Sequence, residues 1–469
     1  MFAAHFRVAS YEDYMAGAKI TPLIESRNDL IEAMSRGCKP ADQWRIGTEH
    51  EKHVFYTDPL EPVPYAGGNG VKALLEGVAK ETGWTPFYDG ENAIGLSNTA
   101  GAGGVSLEPG GQFELSGAPL ETIHQTADEL AEHMAVSKKV ASELGIHFLG
   151  LGVTPLWSVD EIKAMPKSRY GIMTDYMGRT GTLGTSMMYR SCTVQTNLDF
   201  SSEADMVKKL RVSVAMQPIA TALFANSPFV DGKDSGFLSF RSEIWRHTDN
   251  DRTGMLPLAF EEGFGFEQYA DYALDVPMYF VIREGKYINA AGESFRDFLN
   301  GALPQLPGEK PTIGDWEDHL STLFPEVRLK QFLEMRGADM GDERHVVALS
   351  AFWTGLLYDE TSLEAAWELV KNWTHEEREY LRAEVPRLGL NTPFDRSTLF
   401  DIAAQAVGIA SAGLARRNRL NAKGQDESIH IAPLEETVRT GKSPAEVWLE
   451  RFHNEWNGDI TPIFKAAEL

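Results

Sequence analysis

Glu49 and Glu51 stand two residues apart within residues 44–55, and Gln112, Glu114 and Ser116 repeat that spacing within residues 105–116. In an extended strand alternate side chains share a face. Each set therefore points one way, while Phe113 and Leu115 turn into a core. A third segment, Phe332-Leu333-Glu334-Met335-Arg336, puts Glu334 and Arg336 on one face, and Glu108 ends the strand before Pro109-Gly110-Gly111. Carboxylates gathered on one sheet face repel one another unless positive charge lies between them. Hard divalent cations with oxygen ligands meet that need, and magnesium held by carboxylates usually also holds a nucleotide's phosphates. An arginine on the same face can neutralise a glutamate or bind an anionic group. The competing reading of any one pair is a solvated sheet face. Three segments, each apolar on the opposite parity, speak against it, because antiparallel sheets cover at least one face. The pattern suggests a metal–nucleotide site without a P-loop.

Residues 245–254, Trp-Arg-His-Thr-Asp-Asn-Asp-Arg-Thr-Gly, read as a polar loop. Asp, Asn and Gly favour turns for their own reasons, but an arginine supported by aspartates is also how a substrate carboxylate is clamped. Other motifs are decoys. Gly441-Lys442-Ser443 resembles the end of a P-loop, yet Glu436 stands where that motif needs glycine. Ser443-Pro444-Ala445-Glu446 fits a helix capping box better. His50-Glu51-Lys52-His53 lacks the spacing of a zinc-protease helix, and Gly101-Ala102-Gly103-Gly104 leads into a strand, unlike a dinucleotide fingerprint.

The elements that must position these residues can be placed from periodicity. Residues up to about 40 read as a leader and a first helix, and 44–56 as the first strong strand. A helix is expected over 70–80, a flexible glycine loop over 98–104, and a long amphipathic helix over 119–144. Residues 189–198 return to strand, with Cys192 on the core parity beside Val194. Residues 202–224 read as helix, kinked or divided at Pro218. Strands follow at 278–282 and 328–335, and helices dominate beyond 350, notably 397–420. Strand runs separated by long helices, without regular βα alternation, favour an α+β fold. The expected division is a catalytic α+β body over 1–355 and a mainly helical region over 356–469 packed on it, not independent.

The chain has 469 residues and a formal charge of −24, with 43% hydrophobic and 24% charged residues. Nucleic acid is an improbable partner for that charge, since backbone phosphates demand a basic footprint. No apolar run approaches the roughly 20 residues of a membrane span, and the first residues lack a secretory pattern. Two cysteines, Cys38 and Cys192, are too few for a disulfide framework or zinc cluster. Together these features favour the cytoplasm.

The same residues carry a family resemblance. Residues 44–53, 108–116, 187–200, 245–254 and 332–339 resemble glutamate–cysteine ligases of the type shared by plants and proteobacteria, and the similarity runs from about residue 20 to the C-terminus. The resemblance implies a glutamine-synthetase-like fold, an antiparallel sheet curved into a funnel and flanked by helices. It implies ATP-dependent joining of the γ-carboxyl of L-glutamate to the amine of L-cysteine through γ-glutamyl phosphate, the first step of glutathione synthesis. On that basis Glu49, Glu51, Glu108, Glu114 and Glu334 are expected to hold two or three Mg²⁺ ions. Gln195 falls on the metal and phosphate face with Asn197 on its parity. Arg190 and Arg252 are expected on the glutamate α-carboxylate, and Arg336 on the phosphates or the developing acyl phosphate. Plant relatives are regulated by disulfides, and two cysteines in unlike settings leave no counterpart for that switch. A monomer or homodimer is expected. The alternatives are a related carboxylate–amine ligase with another acceptor, a guanidino kinase of the same fold class, and a non-catalytic metal- or nucleotide-binding subunit.

Overall fold

The computed structural model describes residues 21–98 and 103–469. The expected leader over residues 1–20 and most of the expected glycine loop, 99–102, lie outside the described residues.

Eight strands form the main sheet: β1 (Ile46–His50), β2 (Thr85–Asp89), β3 (Asn92–Ser97), β4 (Gly104–Leu107), β5 (Phe113–Ser116), β6 (Thr193–Leu198), β7 (Val327–Leu329) and β8 (Leu333–Asp339). Their order is β7-β8-β6-β1-β5-β4-β3-β2, and every neighbouring pair is antiparallel. Antiparallel neighbours with helices set apart along the chain make this an α+β fold, as the sequence suggested.

Four helices matter for the site: α1 (Ile123–Glu143), α2 (Glu203–Leu223), α3 (Glu343–Leu357) and α4 (Leu399–Arg417). Helix α2 runs through Pro218 without dividing, which leaves the kink as the other expectation. One sheet face belongs to α3: the Ser350 hydroxyl lies 2.6 Å from Thr48 Oγ1 and 3.0 Å from Thr196 Oγ1. That face takes Thr48 and Thr196, so Glu49, Gln195 and Asn197 must point to the other. Helix α4 lies backbone-to-backbone on α3, because a Cβ at Gly413 would stand 2.0 Å from the Gly355 carbonyl oxygen. Only glycines allow that approach.

The expected strand over 44–56 is two strands in two sheets. After β1 the chain breaks at Glu51 and Lys52, and His53–Thr57 joins a three-stranded sheet with Leu60–Pro62 and Ile146–Leu149. The break turns Lys52 into the core, where its Nζ lies 3.1 Å from both His50 Nδ1 and His133 Nε2. The Ser443 capping box is present, with Pro444 in the first turn. No helix among the described residues is long and apolar enough to cross a membrane.

Both cysteines are free, Cys38 half-buried beside Phe200 and Cys192 wholly buried. Burial pushes both thiols up, which suppresses the thiolate that exchange requires. Activity is therefore expected to change little when oxidised and dithiol-reduced protein are compared. A several-fold gain on reduction that disappears in Cys38→Ser would contradict this.

Candidate active site

Glu49 lies opposite Gln195 of β6 on one side and Ser116 of β5 on the other. Asn197 lies between Gly47 of β1 and Glu334 of β8, and its amide donates to Glu49 Oε1 at 2.7 Å. Gly47 leaves room for that amide, since a Cβ there would come within 3.2 Å of Asn197 Cβ. Arg336 Nη1 donates to Gln195 Oε1 at 2.5 Å and to Glu334 Oε2 at 2.8 Å. On the far side Arg328, paired in register with Glu334, donates to its Oε1 at 3.0 Å. The expected strand over 328–335 is in fact this β7–β8 hairpin, and the turn brings the two arginines around one glutamate.

Beyond β1, the Ser106 hydroxyl sits between two carboxylates, 3.0 Å from Glu114 Oε2 and 3.4 Å from Glu108 Oε1. Tyr170 donates to the Leu107 carbonyl at 2.7 Å and lies 3.3 Å from Glu108 Oε1. Glu51 accepts from the Thr193 backbone N–H at 2.9 Å. Gln112, expected on the carboxylate face, instead donates to the Met188 and Ser191 carbonyls and anchors the turn at 109–111.

The electrostatics divide this face in two. Glu334 is held well below the usual carboxylate range: burial opposes its charge, but Arg328, Arg336 and Lys330 outweigh burial. Burial and the nearby Glu334 push Glu49 up. Burial and Glu108 push Glu51 up to about 8, and burial with Glu108, Glu49 and Glu51 pushes Glu114 well up. These groups lack matching positive charge, which is the condition a divalent cation relieves. Among the described residues no group of three or more His, Cys, Asp or Glu is placed so that it could hold a metal ion. Magnesium does not require one, because it keeps several waters and takes one or two carboxylates beside substrate phosphates. The donor set fits it.

The two arginines expected on the substrate carboxylate are engaged elsewhere. Arg252 is fully buried; its Nε donates to Asp249 at 2.6 Å, Nη1 to the Thr322 carbonyl and Nη2 to the Pro277 carbonyl, and it stacks 3.9 Å over Tyr279. It staples the 249–253 turn to its surroundings. Arg190 closes the helix Gly184–Arg190 rather than opening a strand, and pairs with Asp231 at 2.9 Å. Strand β6 begins only at Thr193, so the expected strand over 189–198 is shorter by four residues.

Positive charge reaches the face from residues the sequence did not single out. Arg241, on the helix Phe240–Arg246, is buried, donates to the Arg336 carbonyl at 2.9 Å and bears on the Glu51 charge. Its Nε and the neighbouring Trp245 Nε1 are buried donors without partners. Arg241, Trp245, Phe324, Glu326 and Arg336 line one cavity beside β8. Trp245 therefore sits on a helix rather than in the expected loop. Lys167, Arg328 and Lys330 complete the cationic surround. A sequence signal existed for Arg328 and Lys330, which alternate as Glu334 and Arg336 do; none marked Arg241.

Buried carboxylates interleaved with arginines form a face suited to phosphoryl and carboxylate oxygens together, and the chain is a ligase. The profile of Glutamate-cysteine ligase family 2 (GCS2) matches residues 45–466. Glutamate–cysteine ligase, chloroplastic, of Nicotiana tabacum is 53% identical over 440 residues, covering 94% of this chain and 82% of the relative. That of Arabidopsis thaliana is 54% identical, again over 94% of this chain and 82% of the relative. A crystal structure of glutamate–cysteine ligase from Francisella tularensis in complex with AMP shares the fold, with a TM-score of 0.55 at 14% identity, covering 90% of this chain and 88% of that one. The chain belongs to glutamate–cysteine ligase family 2, and the resemblance, fold class and enzyme class read from the sequence stand. The cytoplasmic expectation does not: the plant relatives are named chloroplastic. Sparse cysteine fits any reducing compartment and could not single out the cytoplasm.

The raised pKa of Glu51 has a sign that can be checked. Folded Glu51 keeps its proton up to about pH 8, whereas an unfolded glutamate loses it near pH 4.5. Its contribution to stability is thus fully present below pH 4.5 and is lost as pH rises through 8. Without metal, Glu51→Gln is expected to raise the melting temperature more at pH 8 than at pH 5. An equal shift at both, measured by calorimetry, would contradict the uncompensated burial of this charge.

Proposed function

We propose that this chain activates the γ-carboxylate of L-glutamate with ATP and joins it to the amine of L-cysteine, the first step of glutathione synthesis. Carboxylate and amine do not condense unaided at neutral pH. The γ-carboxylate oxygen attacks the terminal phosphorus of ATP and ADP departs. The cysteine amine then attacks the acyl carbon, loses a proton, and inorganic phosphate leaves. The observation that carries this reading is the uncompensated face: Glu49, Glu51 and Glu114 are buried among like charges while Arg336 and Arg241 stand beside them.

Glu49, Glu51, Glu108 and Glu114 would hold Mg²⁺, with Glu334 contributing at the arginine-bound end. When bound, Mg²⁺ neutralises the phosphoryl oxygens during transfer. Arg336, aimed by Gln195 and Glu334, and Arg241 with Trp245 would hold the reacting carboxylate, since buried donors without partners favour an anionic group. Asn197 orients Glu49. Arg252 and Arg190 support the surrounding turns rather than the ligand.

The reading is tested by ADP release with ATP, Mg²⁺ and glutamate, with and without cysteine, and by mass detection of γ-glutamylcysteine. Unchanged ATP, or phosphorylated product without dipeptide, would refute it. Glu49→Gln and Glu114→Gln are each expected to lower kcat about a hundredfold or more, the scale of losing one preorganised electrostatic group. Near-normal turnover of both at saturating Mg²⁺ would refute the metal assignment.

A further inference from the structure

Asp339 ends β8 a few residues past Arg336 and is 2% exposed, though no step of the ligation uses it. Its carboxylate accepts three hydrogen bonds: from the Asn226 N–H at 2.8 Å, Ser227 Oγ at 2.7 Å and Ser239 Oγ at 2.8 Å. A buried carboxylate is costly, and three convergent donors are what make it tolerable. Gly152 keeps room for it, since a Cβ there would stand 2.6 Å from Asp339 Cγ. The two serines pass this anchor on to the helix Phe240–Arg246. Ser239 is the N-cap, and its oxygen accepts from the Ser242 N–H at 3.2 Å. The Ser227 oxygen accepts from the Arg241 N–H at 3.1 Å, and the Ser227 carbonyl from the Phe240 N–H at 3.1 Å. Each hydroxyl has one proton to donate. Giving it to Asp339 turns the lone pairs of both serines toward the helix, so the N–H groups of Phe240, Arg241 and Ser242 are all met.

A helix of 7 residues is too short to hold itself in place. Its anchor therefore sets where it stands, and the helix carries Arg241 and Trp245. Arg241 Nη2 in turn donates to the Arg336 carbonyl at 2.9 Å, on the strand that Asp339 ends. One carboxylate thus fixes both arginine-bearing elements against each other, β8 through its own backbone and the helix through two hydroxyls. We propose that Asp339 is a positioning residue for the ligation: through Ser227 and Ser239 it holds Arg241 in place beside Arg336. The inference rests on the ligase reading of the site. A carboxylate suits this task because it only accepts, and so fixes which way each serine proton points. An asparagine accepts at one end only; its amide would turn one serine proton away, and with it one cap of the helix.

Asp339→Asn is expected to raise KM for glutamate about tenfold, because a small misplacement of an orienting group is enough, while KM for ATP stays nearly unchanged. Ser239→Ala removes one arm of the same junction and should show the same split to a smaller degree. A double-mutant cycle with Arg241→Lys separates positioning from general support. If Asp339 acts through Arg241, Asp339→Asn should change KM for glutamate by no more than about twofold once Arg241 is Lys. The same change in both backgrounds would overturn the inference. So would a wild-type KM in Asp339→Asn, or an equal loss for glutamate and ATP with a lower melting temperature. Should Asp339→Asn fail to fold, Ser239→Ala carries the cycle, and additivity with Arg241→Lys again overturns the inference. Dipeptide formation by wild type with an additive cycle removes only the positioning role. If wild type makes no dipeptide, the ligase reading itself falls.

Discussion

Like charges brought together on a buried sheet face set the terms for everything around them. Glu51 and Glu114 both feel Glu108, Glu114 also feels Glu49, and Glu49 feels Glu334. Burial raises the cost of each charge, and among the described residues no side chain on that part of the face supplies enough positive charge to cancel it. Two remedies coexist side by side. At the β8 end Arg328, Arg336 and Lys330 neutralise Glu334 outright. Toward β5 burial and like charge push Glu49, Glu51 and Glu114 up, because their charge is not matched there. The boundary runs down β6, where Gln195 and Asn197, both neutral, bond Arg336 on one side and Glu49 on the other.

The opposite face makes this tolerable. Thr48, Thr196 and Ser350 satisfy one another beneath the sheet, and α3 seals it. Lys52 is buried there between two imidazoles; burial pushes it down to about 7, and the carboxylates of Glu114 and Glu51 only partly oppose that shift. The positive charge that this acidic face does have comes from the arginines beside it, Arg328 and Arg336 around Glu334 and Arg241 near Glu51. This sheet face thus carries carboxylate charge that the fold itself does not balance, and added positive charge would relieve it.

What could be read from the sequence follows from the range of each interaction. The carboxylate parity of Glu49, Glu114 and Glu334 is local, two residues to a repeat, and the sheet preserves it. The capping box at Ser443 is equally local. The hydrogen bonds of Arg252 were not legible because its partners, the carbonyls of Pro277 and Thr322, lie 25 and 70 residues away; only the fold reveals that its donors are used. The strand expected at Arg190 is the end of a helix, because the strand pattern of 193–198 follows the helix Gly184–Arg190 almost directly. Arg241 was missed because a seven-residue helix carries little periodicity, and its value comes from the 95-residue separation that brings it to Arg336. Pro218 does not break α2 because tertiary packing holds both halves of a wholly buried segment.

Proton release on metal binding tests the central claim most directly. Glu51, pushed up to about 8, is protonated at pH 7 and must lose that proton to become a ligand. Calorimetric titration of Mg²⁺ into the protein with a non-hydrolysable ATP analogue, in two buffers of different ionisation enthalpy, counts the protons. The account predicts net proton release at pH 7 that shrinks in Glu51→Gln and grows smaller in wild type at pH 9. Binding with the same stoichiometry and no proton release in wild type would contradict it.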